Sequence, residues 1–523
     1  MRYLIYSSFL KKAKREIKNY LSSLKSQNKN SKLIINSSII NNLDSYLNKE
    51  LEKFILPTFA LEINLARIKK ELKGKNSHLR YKDFFVKKAP IDKFFFSKYP
   101  QLENFLFILT NSTIKSTKVC LDRLINDWGE ITKIFSLSSE KNNLLKIKIP
   151  PNSDRHHQGQ QTLILEFNNN FLLVYKPYQT NSEKIVYFIS EKINKTFGKP
   201  LFKTVPFLDK NYYSYRLFID KDENVISQSQ AKKFYYQAGG IIALSYILNA
   251  TDLHMDNLVV NKGNLYLLDT ETFFHHFSFK GFPKKPNIFF TGLLSDPKSK
   301  SKIGETSGLQ GGSTPRLSLL TPFPKNDGTD KICVRYKTIS RFTPHNRLYF
   351  KGTLVEPKDY CQEIILGFEN VYNFFQQNKD LVIKWIKDFL NSQPLSSPLK
   401  LRQIIRPTSI YIFFIQNLLQ PSNLKNNNYL KFITKKLKSG LGNQDPRVKK
   451  LIPYEVKEIM NLNVPYFYTE ITKPHLYDEE GNCYKNFFNS TGLEELEKKL
   501  FSLSKKDLEI QTKKILSSLR NYL

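Results

Sequence analysis

Apolar residues recur every three to four positions over most of residues 1–150, the spacing of one buried helical face. One such set is Leu51, Phe54, Ile55, Phe59, Leu61 and Ile63. The pair Pro150-Pro151 interrupts this pattern and marks a boundary, because proline cannot continue a helix. The sequence therefore predicts a mostly helical N-terminal part at residues 1–150.

After this boundary the apolar spacing becomes that of short strands. Residues 162–167 and 171–176 flank three asparagines and predict a β-hairpin. Helices are then predicted at residues 182–197 and 230–249. The second helix contains Gly239-Gly240. Each glycine costs about 1 kcal/mol of helix propensity, so this pair indicates close packing against a neighbour.

A second hairpin is predicted at residues 257–268, with an Asn-Lys-Gly-Asn turn. Residues 280–345 are rich in Pro, Gly and Ser and predict a long loop, most flexible at 304–312. Helical spacing returns at residues 360–391. It continues over 411–523, apart from a patch near Pro465, and ends on an amphipathic helix.

These elements together predict an α+β fold. The catalytic core is expected at residues 151–400, and a helical C-terminal part at 401–523. The three parts are expected to form one integrated unit.

The 523-residue chain carries a formal charge of +34. Lys, Asn and Ile are abundant throughout, so compositional drift explains most of this charge, and attraction to acidic partners is a consequence. The four cysteines are scattered without a C-x-x-C pair, which predicts neither a zinc ribbon nor a disulfide framework and fits a reducing cytosol. No run reaches the ~18 apolar residues of a membrane span, so a cytoplasmic protein without stable membrane insertion is expected.

The clearest local pattern is Asp252-Leu253-His254-Met255-Asp256-Asn257, followed after the second hairpin by Asp269-Thr270-Glu271. Phosphoryl transfer from ATP needs a carboxylate beside the attacking hydroxyl and oxygen ligands for the metal ion. Because a hairpin brings its ends together, Asn257 and Asp269 are predicted to bind one Mg²⁺. Upstream, Lys176 ends an apolar strand, as expected of a lysine that pairs with ATP phosphates. The residues predict a kinase-like site, and a P-loop of the G-x-x-x-x-G-K type is absent from the sequence.

This order of motifs resembles the dehydratase domain of class II lanthipeptide synthetases, the LanM type. The matching segments are residues 61–67, 80–84, 154–159, 174–177, 252–257, 268–273, 402–411, 464–467 and 508–519. The resemblance covers nearly the whole chain. It implies a lipid-kinase-like, two-lobed core in which two reactions share one cleft, with large helical additions at both ends.

By this resemblance, one group of residues serves ATP–Mg²⁺ and the phosphorylation of Ser or Thr in a precursor peptide with a leader. Its members are Lys176, Asp252, His254, Asn257, Asp269 and Glu271. A second group removes the phosphate to leave dehydroalanine or dehydrobutyrine. Its members are Asp154, His156, Arg402 and Thr408. A guanidinium such as that of Arg402 can grip two phosphate oxygens, and a histidine can move protons near neutral pH.

The sequence departs from the family pattern at four positions. Ser153 stands where the family has Gly, Gln160 and Tyr178 where it has Arg, and Asp256 where it has Glu. The loss of two arginines weakens the case for elimination more than that for phosphorylation. Full-length members continue into a zinc-dependent cyclase domain, whereas the resemblance here ends with the last dehydratase helix, so ring closure is expected to need a separate cyclase.

Three alternatives stay open at this point. The first is a kinase of the same or another peptide without elimination. The second is a catalytically dead peptide-binding scaffold, which the presence of Lys176, Asp252, Asn257 and Asp269 argues against. Nucleic-acid binding through the positive charge is the third, and it lacks an interleaved aromatic motif. The elimination residues also have purely structural interpretations, as a salt bridge, a helix start and a structural hydrogen bond.

Overall fold

The computed structural model describes residues 1–27, 32–137, 142–150, 153–178, 181–222, 224, 227–278, 286–298, 306–311, 321–337, 345–394 and 398–520. The chain mixes helices with short strands, which confirms the predicted α+β class. The likeness to lipid kinases stays a prediction. Within the described ranges, no helix combines the length and apolarity that crossing a bilayer requires.

The helices are α1 (Ser7–Gln27), α2 (Ser38–Ile68), α3 (Ser77–Lys87), α4 (Ile91–Lys98), α5 (Pro100–Ile134), α6 (Asn181–Phe197), α7 (Gln228–Ile247), α8 (Cys361–Gln377), α9 (Lys379–Ser392), α10 (Thr408–Leu418), α11 (Asn428–Lys438), α12 (Ile452–Met460), α13 (Gly492–Ser502) and α14 (Lys505–Arg520). The strands are β1 (Leu33–Ile35), β2 (Asn142–Lys148), β3 (Leu163–Phe167), β4 (Leu172–Lys176), β5 (Phe207–Asp209), β6 (Ser214–Leu217), β7 (Leu258–Asn261), β8 (Asn264–Leu267), β9 (Thr321–Lys325), β10 (Cys333–Lys337), β11 (Tyr349–Phe350), β12 (Thr353–Leu354), β13 (Lys400–Gln403), β14 (Phe467–Glu470), β15 (Leu476–Asp478) and β16 (Cys483–Tyr484).

The largest sheet has six strands in the order β1-β2-β3-β4-β6-β5. The predicted hairpin at 162–176 is confirmed as β3 and β4, which pair antiparallel. Strand β4 also pairs with β6, and Lys176 faces Ser214 in that register. Strands β1 and β2 precede Pro150 and pair with each other in parallel, and β2 pairs with β3 beyond it. The sheet therefore joins chain segments on both sides of Pro150.

Helices α7 and α8 pack backbone to backbone. A Cβ on Gly239 would lie 1.9 Å from the carbonyl oxygen of Ile364, and one on Gly367 would lie 1.9 Å from that of Tyr236. Only glycines permit this approach, so the close packing predicted for Gly239-Gly240 is confirmed. Helix α7 begins at a Ser227 cap that accepts from the Gln230 amide, and it ends five residues before Asp252.

A four-stranded sheet, β13-β14-β15-β16, corrects the prediction that residues 411–523 are helical apart from a patch near Pro465. Three of its strands lie within that segment. Strand β13 comes from the end of the predicted core and pairs antiparallel with β14, which places Arg402 opposite Tyr468. The sheet thereby carries Arg402 on its first strand.

The structure also corrects the prediction of a long loop over residues 280–345. Strands β9 and β10 form a hairpin within it, and buried Asp330 between them pairs with Arg80 of α3 at 2.6 Å. Residues 306–311, predicted to be flexible, are held by backbone hydrogen bonds such as Gly308 N to Gly292 O at 2.8 Å. Leu309 within them is buried. Residues 304, 305 and 312 lie outside the described ranges.

Two large apolar cores hold the molecule together. The first joins helices α1 to α5 and the six-stranded sheet to buried residues between 411 and 464. The second surrounds α7 and α8 and takes in α6, α9, the β7–β8 hairpin, α13 and α14. The candidate site lies where elements of both cores meet.

Candidate active site

Lys176 ends β4 and is buried at the edge of the large sheet. Its Nζ lies 3.2 Å from Oε1 of Glu183 and 3.3 Å from Oδ1 of Asp269. Burial, followed by the charge of Arg216, lowers the pKa of Lys176 to about 8, although Asp269 and Glu271 act in the opposite direction. The structure thus brings the predicted phosphate-binding lysine onto the predicted metal-binding aspartate.

Two buried residues of this cluster were not identified from the sequence. Glu183, in the first turn of α6, pairs with Lys176 and also forms a short ion pair with Arg216 of β6. A lysine paired with a helix glutamate is part of protein-kinase sites, and the helix that begins soon after Lys176 was the available signal for Glu183. Arg216 donates to the carbonyl oxygen of Leu268. Its strand carries no motif that could have identified it.

Asp252 lies in the turn between α7 and the β7–β8 hairpin, with a φ of 61°. Left-handed backbone is costly for residues other than glycine, although Asp tolerates it, and it concentrates at functional sites. The amide Nδ2 of Asn257 donates to the carbonyl oxygen of Asp252 at 2.8 Å and holds this turn. That contact occupies the amide nitrogen and leaves Oδ1 as the end of Asn257 that suits a cation.

His254 caps the short 3-10 turn Met255–Asn257. Its Nδ1 accepts from the backbone N–H of Asp256 at 3.2 Å. In the neutral imidazole the proton therefore lies on Nε2, which becomes a donor. His254 thus has a structural role in the turn, and within the described ranges its Nε2 forms no hydrogen bond.

The β7–β8 hairpin returns the chain to this turn, as the sequence predicted. The backbone N–H of Leu268 donates to the carbonyl oxygen of Asn257 at 2.8 Å, so Asp269 follows directly beside Asn257. Burial alone raises the pKa of Asp269, but the charges of Lys176 and Arg216 outweigh it and hold that pKa below its usual value. Asp269 is thus an ionised oxygen donor next to an amide oxygen, a donor set that Mg²⁺ accepts.

Glu271 connects the segment that follows the β7–β8 hairpin to β13. Its carboxylate forms a short ion pair with Nη1 of Arg402, and its carbonyl oxygen accepts from the Arg402 backbone N–H at 3.1 Å. Burial raises the pKa of Glu271, although Arg402 opposes this shift. The Arg402 guanidinium lies 5.1 Å from the ring centroid of Tyr466. Tyr466 belongs to the segment 464–467 that resembles the family, and the sequence alone predicts no role for it.

His156 is buried beside Tyr178 and Tyr466, with ring centroids 5.9 and 5.4 Å away. Its Nδ1 lies 3.0 Å from the carbonyl oxygen of Val464, so Nδ1 carries the proton and Nε2 is an acceptor. Burial, followed by the charge of Arg402, lowers the pKa of His156 to about 3. The imidazole is neutral at physiological pH.

Asp154 is half-buried two residues before His156. Burial raises the pKa of its carboxyl group; Arg402 and His254 act to lower it, and Asp252 to raise it further. These mutual influences place Asp154 near the turn of Asp252 and His254 and near Arg402 at once. Residues from both predicted groups therefore face one another.

Thr408 begins α10 after Pro407 and is half-buried. Among the described residues, no hydrogen bond joins its side chain to the other predicted site residues. The preceding Arg406 is fully buried in an ion pair with Glu455 at 2.7 Å, which fixes the start of α10. The structure does not bring Thr408 into the cluster, and its role stays a prediction.

Three of the four departures from the family pattern, Ser153, Gln160 and Tyr178, lie close to His156. The hydroxyl of Ser153 accepts from the Thr162 backbone N–H at 3.1 Å, and the Tyr178 hydroxyl lies 3.1 Å from that of Thr162. Gln160 pairs through its backbone with His156. These residues support the loop of His156, but they supply no cation there.

Comparison with known proteins gave two matches. The family described as a domain of unknown function (DUF4135) matches residues 99–470. A protein of Lactococcus lactis subsp. lactis, named "Lacticin 481/lactococcin biosynthesis protein LcnDR2", is 26% identical over 352 residues. The match covers 62% of this chain and 36% of that protein, so the chain spans little more than a third of its relative.

Proposed function

The chain belongs to the DUF4135 family, and from this premise we propose that it is an ATP-dependent dehydratase of a ribosomal precursor peptide. It phosphorylates Ser or Thr and then eliminates the phosphate to give dehydroalanine or dehydrobutyrine. The similarity to a lacticin 481 biosynthesis protein supports peptide modification as the general role.

One observation carries the proposal: the contact between Lys176 and Asp269 at 3.3 Å, beside the turn that Asn257 closes onto Asp252. A cationic group, an ionised carboxylate, an amide oxygen and a second carboxylate occur together, as nucleotide phosphates and a divalent cation require. Asn257 and Asp269 would hold Mg²⁺. When bound, the cation would neutralise charge on the transferred phosphoryl group.

In the first reaction, the Ser or Thr oxygen forms a bond to the γ-phosphorus of ATP while the bond to ADP breaks. Asp252 accepts the hydroxyl proton, because its carboxylate lies in the turn that faces the nucleotide-binding residues. Lys176 contacts nucleotide phosphates in its protonated form. His254 offers Nε2–H as a further donor.

In the second reaction, a base removes the α-proton of the phosphorylated residue and the β-carbon–oxygen bond breaks, releasing phosphate. The Arg402 guanidinium binds the departing phosphate, since its donors match two phosphate oxygens. Asp154 and neutral His156 are the proton acceptors next to Arg402. The raised pKa of Asp154 makes it a stronger base than an ordinary aspartate, whereas the pKa of about 3 makes His156 a weak one.

A kinase that stops at the phosphopeptide is the second candidate function. It is favoured by Gln160 and Tyr178, which stand where the resembling family has arginines. With Arg402 as the one cation of the second group, phosphate release would be slower than phosphorylation. Stable phosphopeptide from the unaltered protein would select this alternative.

The test is mass spectrometry of a peptide incubated with the protein, ATP and Mg²⁺. The first peptide is the lacticin 481 precursor, because the relative is named for lacticin 481 biosynthesis, and the second is a Ser/Thr/Cys-rich peptide to be sought in the reading frames next to the gene of this chain. We expect loss of one water per modified residue. Asp252→Asn should abolish both products, and Arg402→Ala should accumulate phosphopeptide.

Lys400→Gln is the matched control, because it removes a cation two residues from Arg402 on the same strand. It should keep the pattern of the unaltered protein. Unmodified peptide from both substrates, with a protein that binds ATP, would contradict the proposal.

A further inference from the structure

The ion pair between Glu271 and Arg402 joins the two groups of candidate residues directly. Glu271 follows the candidate metal ligand Asp269 by two residues, and its backbone N–H donates to Asp269 Oδ1 at 3.2 Å. Arg402 is the cation of the group assigned to phosphate release. The ion pair therefore links a residue of the phosphorylation group to a residue of the elimination group.

Arg402 has little freedom to bind a second anion while this pair exists. Its side chain is 11% exposed and that of Glu271 is 9% exposed. The ring of Tyr466 lies against the guanidinium, and the Tyr466 hydroxyl also lies 3.4 Å from Glu271 Oε2. A guanidinium binds carboxylate and phosphate through the same planar set of N–H donors. A phosphate on Arg402 must consequently compete with Glu271.

Glu271 is also close enough to the nucleotide-binding residues to respond to their charge. The charges of Asp269 and Lys176 both influence the pKa of Glu271. A divalent cation held by Asp269 adds positive charge close to Glu271, whose backbone N–H contacts Asp269 Oδ1. It therefore weakens the hold of this carboxylate on the guanidinium.

We propose that Glu271 is a positioning residue that occupies Arg402 when the nucleotide site is empty and releases it when Mg²⁺–nucleotide binds. Phosphate binding by Arg402 is thereby conditional on an occupied kinase site. The inference rests on the proposed function for the identity of the two ligands. It assigns to Glu271 a second role, in the elimination half of the site.

The test measures binding and needs no turnover. The probe is acetyl-phosphoserine amide, titrated against the protein by ³¹P NMR with and without Mg²⁺–ADP, with acetyl-serine amide as the ligand control. In the unaltered protein, Mg²⁺–ADP should strengthen phosphoserine binding by about tenfold, the effect of removing one competing charge-assisted contact. Glu271→Gln should bind about tenfold more tightly without nucleotide and show no further response to it.

Two further variants make the outcome specific. Arg402→Ala should lose phosphoserine binding in both conditions, and Glu271→Asp, which keeps the charge, should retain part of the nucleotide response. Glu480→Gln is the charge control, because Glu480 pairs with Lys457 at the surface. It should behave as the unaltered protein does.

The inference is overturned if Glu271→Gln keeps the unaltered affinity and the unaltered response to Mg²⁺–ADP. A protein that dehydrates its peptide and gives that result leaves the proposed function standing and removes only the role of Glu271. If Glu271→Gln binds phosphoserine more tightly but no peptide is dehydrated, the role of Glu271 stands and the proposed function is removed.

Discussion

Replacing Gly239 by alanine should destabilise the protein, although the same change stabilises most exposed helices. The new methyl group would lie 1.9 Å from the Ile364 carbonyl oxygen, 1.1 Å short of the 3.0 Å that real Cβ atoms keep. That oxygen belongs to the backbone of α8, so no side-chain rotation relieves the contact and the two helices must separate.

The expected size follows from two opposing effects. Alanine gains about 1 kcal/mol of helix propensity over glycine. Forced separation of tightly packed helices costs about 1–3 kcal/mol and more where backbone is involved. Gly367 packs equally close to Tyr236 in the same interface, so separation of the helices disturbs both contacts. We therefore expect a net loss of about 2 kcal/mol in the free energy of unfolding.

Gly129 provides the matched control. It lies exposed in α5, five residues before the last residue of that helix, and a Cβ built there meets nothing within 4 Å. Gly129→Ala should therefore raise the urea midpoint measured by circular dichroism, whereas Gly239→Ala should lower it. A Gly239→Ala midpoint at or above that of Gly129→Ala would refute the argument. Because α7 leads into Asp252, Gly239→Ala should also reduce phosphorylation, whereas Gly129→Ala should not.

Three other outcomes follow from buried charges. Protonated Lys176 is present below its pKa of about 8 and lost above it, so kcat/KM for ATP should fall as pH rises through 8; a flat profile to pH 9 contradicts this role. Glu455→Gln removes the negative charge beside buried Arg406 and should cost about 3–5 kcal/mol of stability, while Glu480→Gln at an exposed pair should leave stability nearly unchanged. Burial is the main reason that the pKa of His276 is lowered to about 4. Among the described residues, neither of its ring nitrogens has a hydrogen-bond partner. The unfolded chain therefore binds its proton more readily between pH 6.5 and 4, so His276→Phe should reduce the loss of thermal stability over that range, measured by melting temperature against pH.

The elements that position Lys176, Asp252 and Asp269 could be predicted from the sequence because their signals are local. Hairpin turns and helix periodicity are properties of neighbouring residues, and they located β3, β4, α6 and α7. The packing of Gly239 followed from the cost of glycine in a helix. Periodicity failed at finer detail: Leu61, chosen as a core residue, is exposed, while the adjacent Glu62 is buried against Tyr99 and Lys98.

The missed elements are short or break a rule of strand composition. Strands β14, β15 and β16 have four, three and two residues, too few to show alternation. Strand β9 carries Pro322 and Pro324, which ordinarily exclude a residue from a sheet interior. In the site, Arg216 and Tyr466 are joined to the motif only through tertiary contacts. Their proximity to Lys176 and Arg402 could not be derived without the fold.

The first apolar core has a consequence for how this chain is made. It packs Ile5 and Tyr6 in one core with Tyr411, Phe414 and Val464, which lie more than 400 residues later in the sequence. During synthesis the early helices thus have an unfilled apolar face until residue 464 has left the ribosome. Long-range closure of this kind slows folding and leaves apolar surface exposed to aggregation. Fragments that end before residue 411 should accumulate as insoluble protein, and expression at low temperature or with chaperones should favour the intact chain.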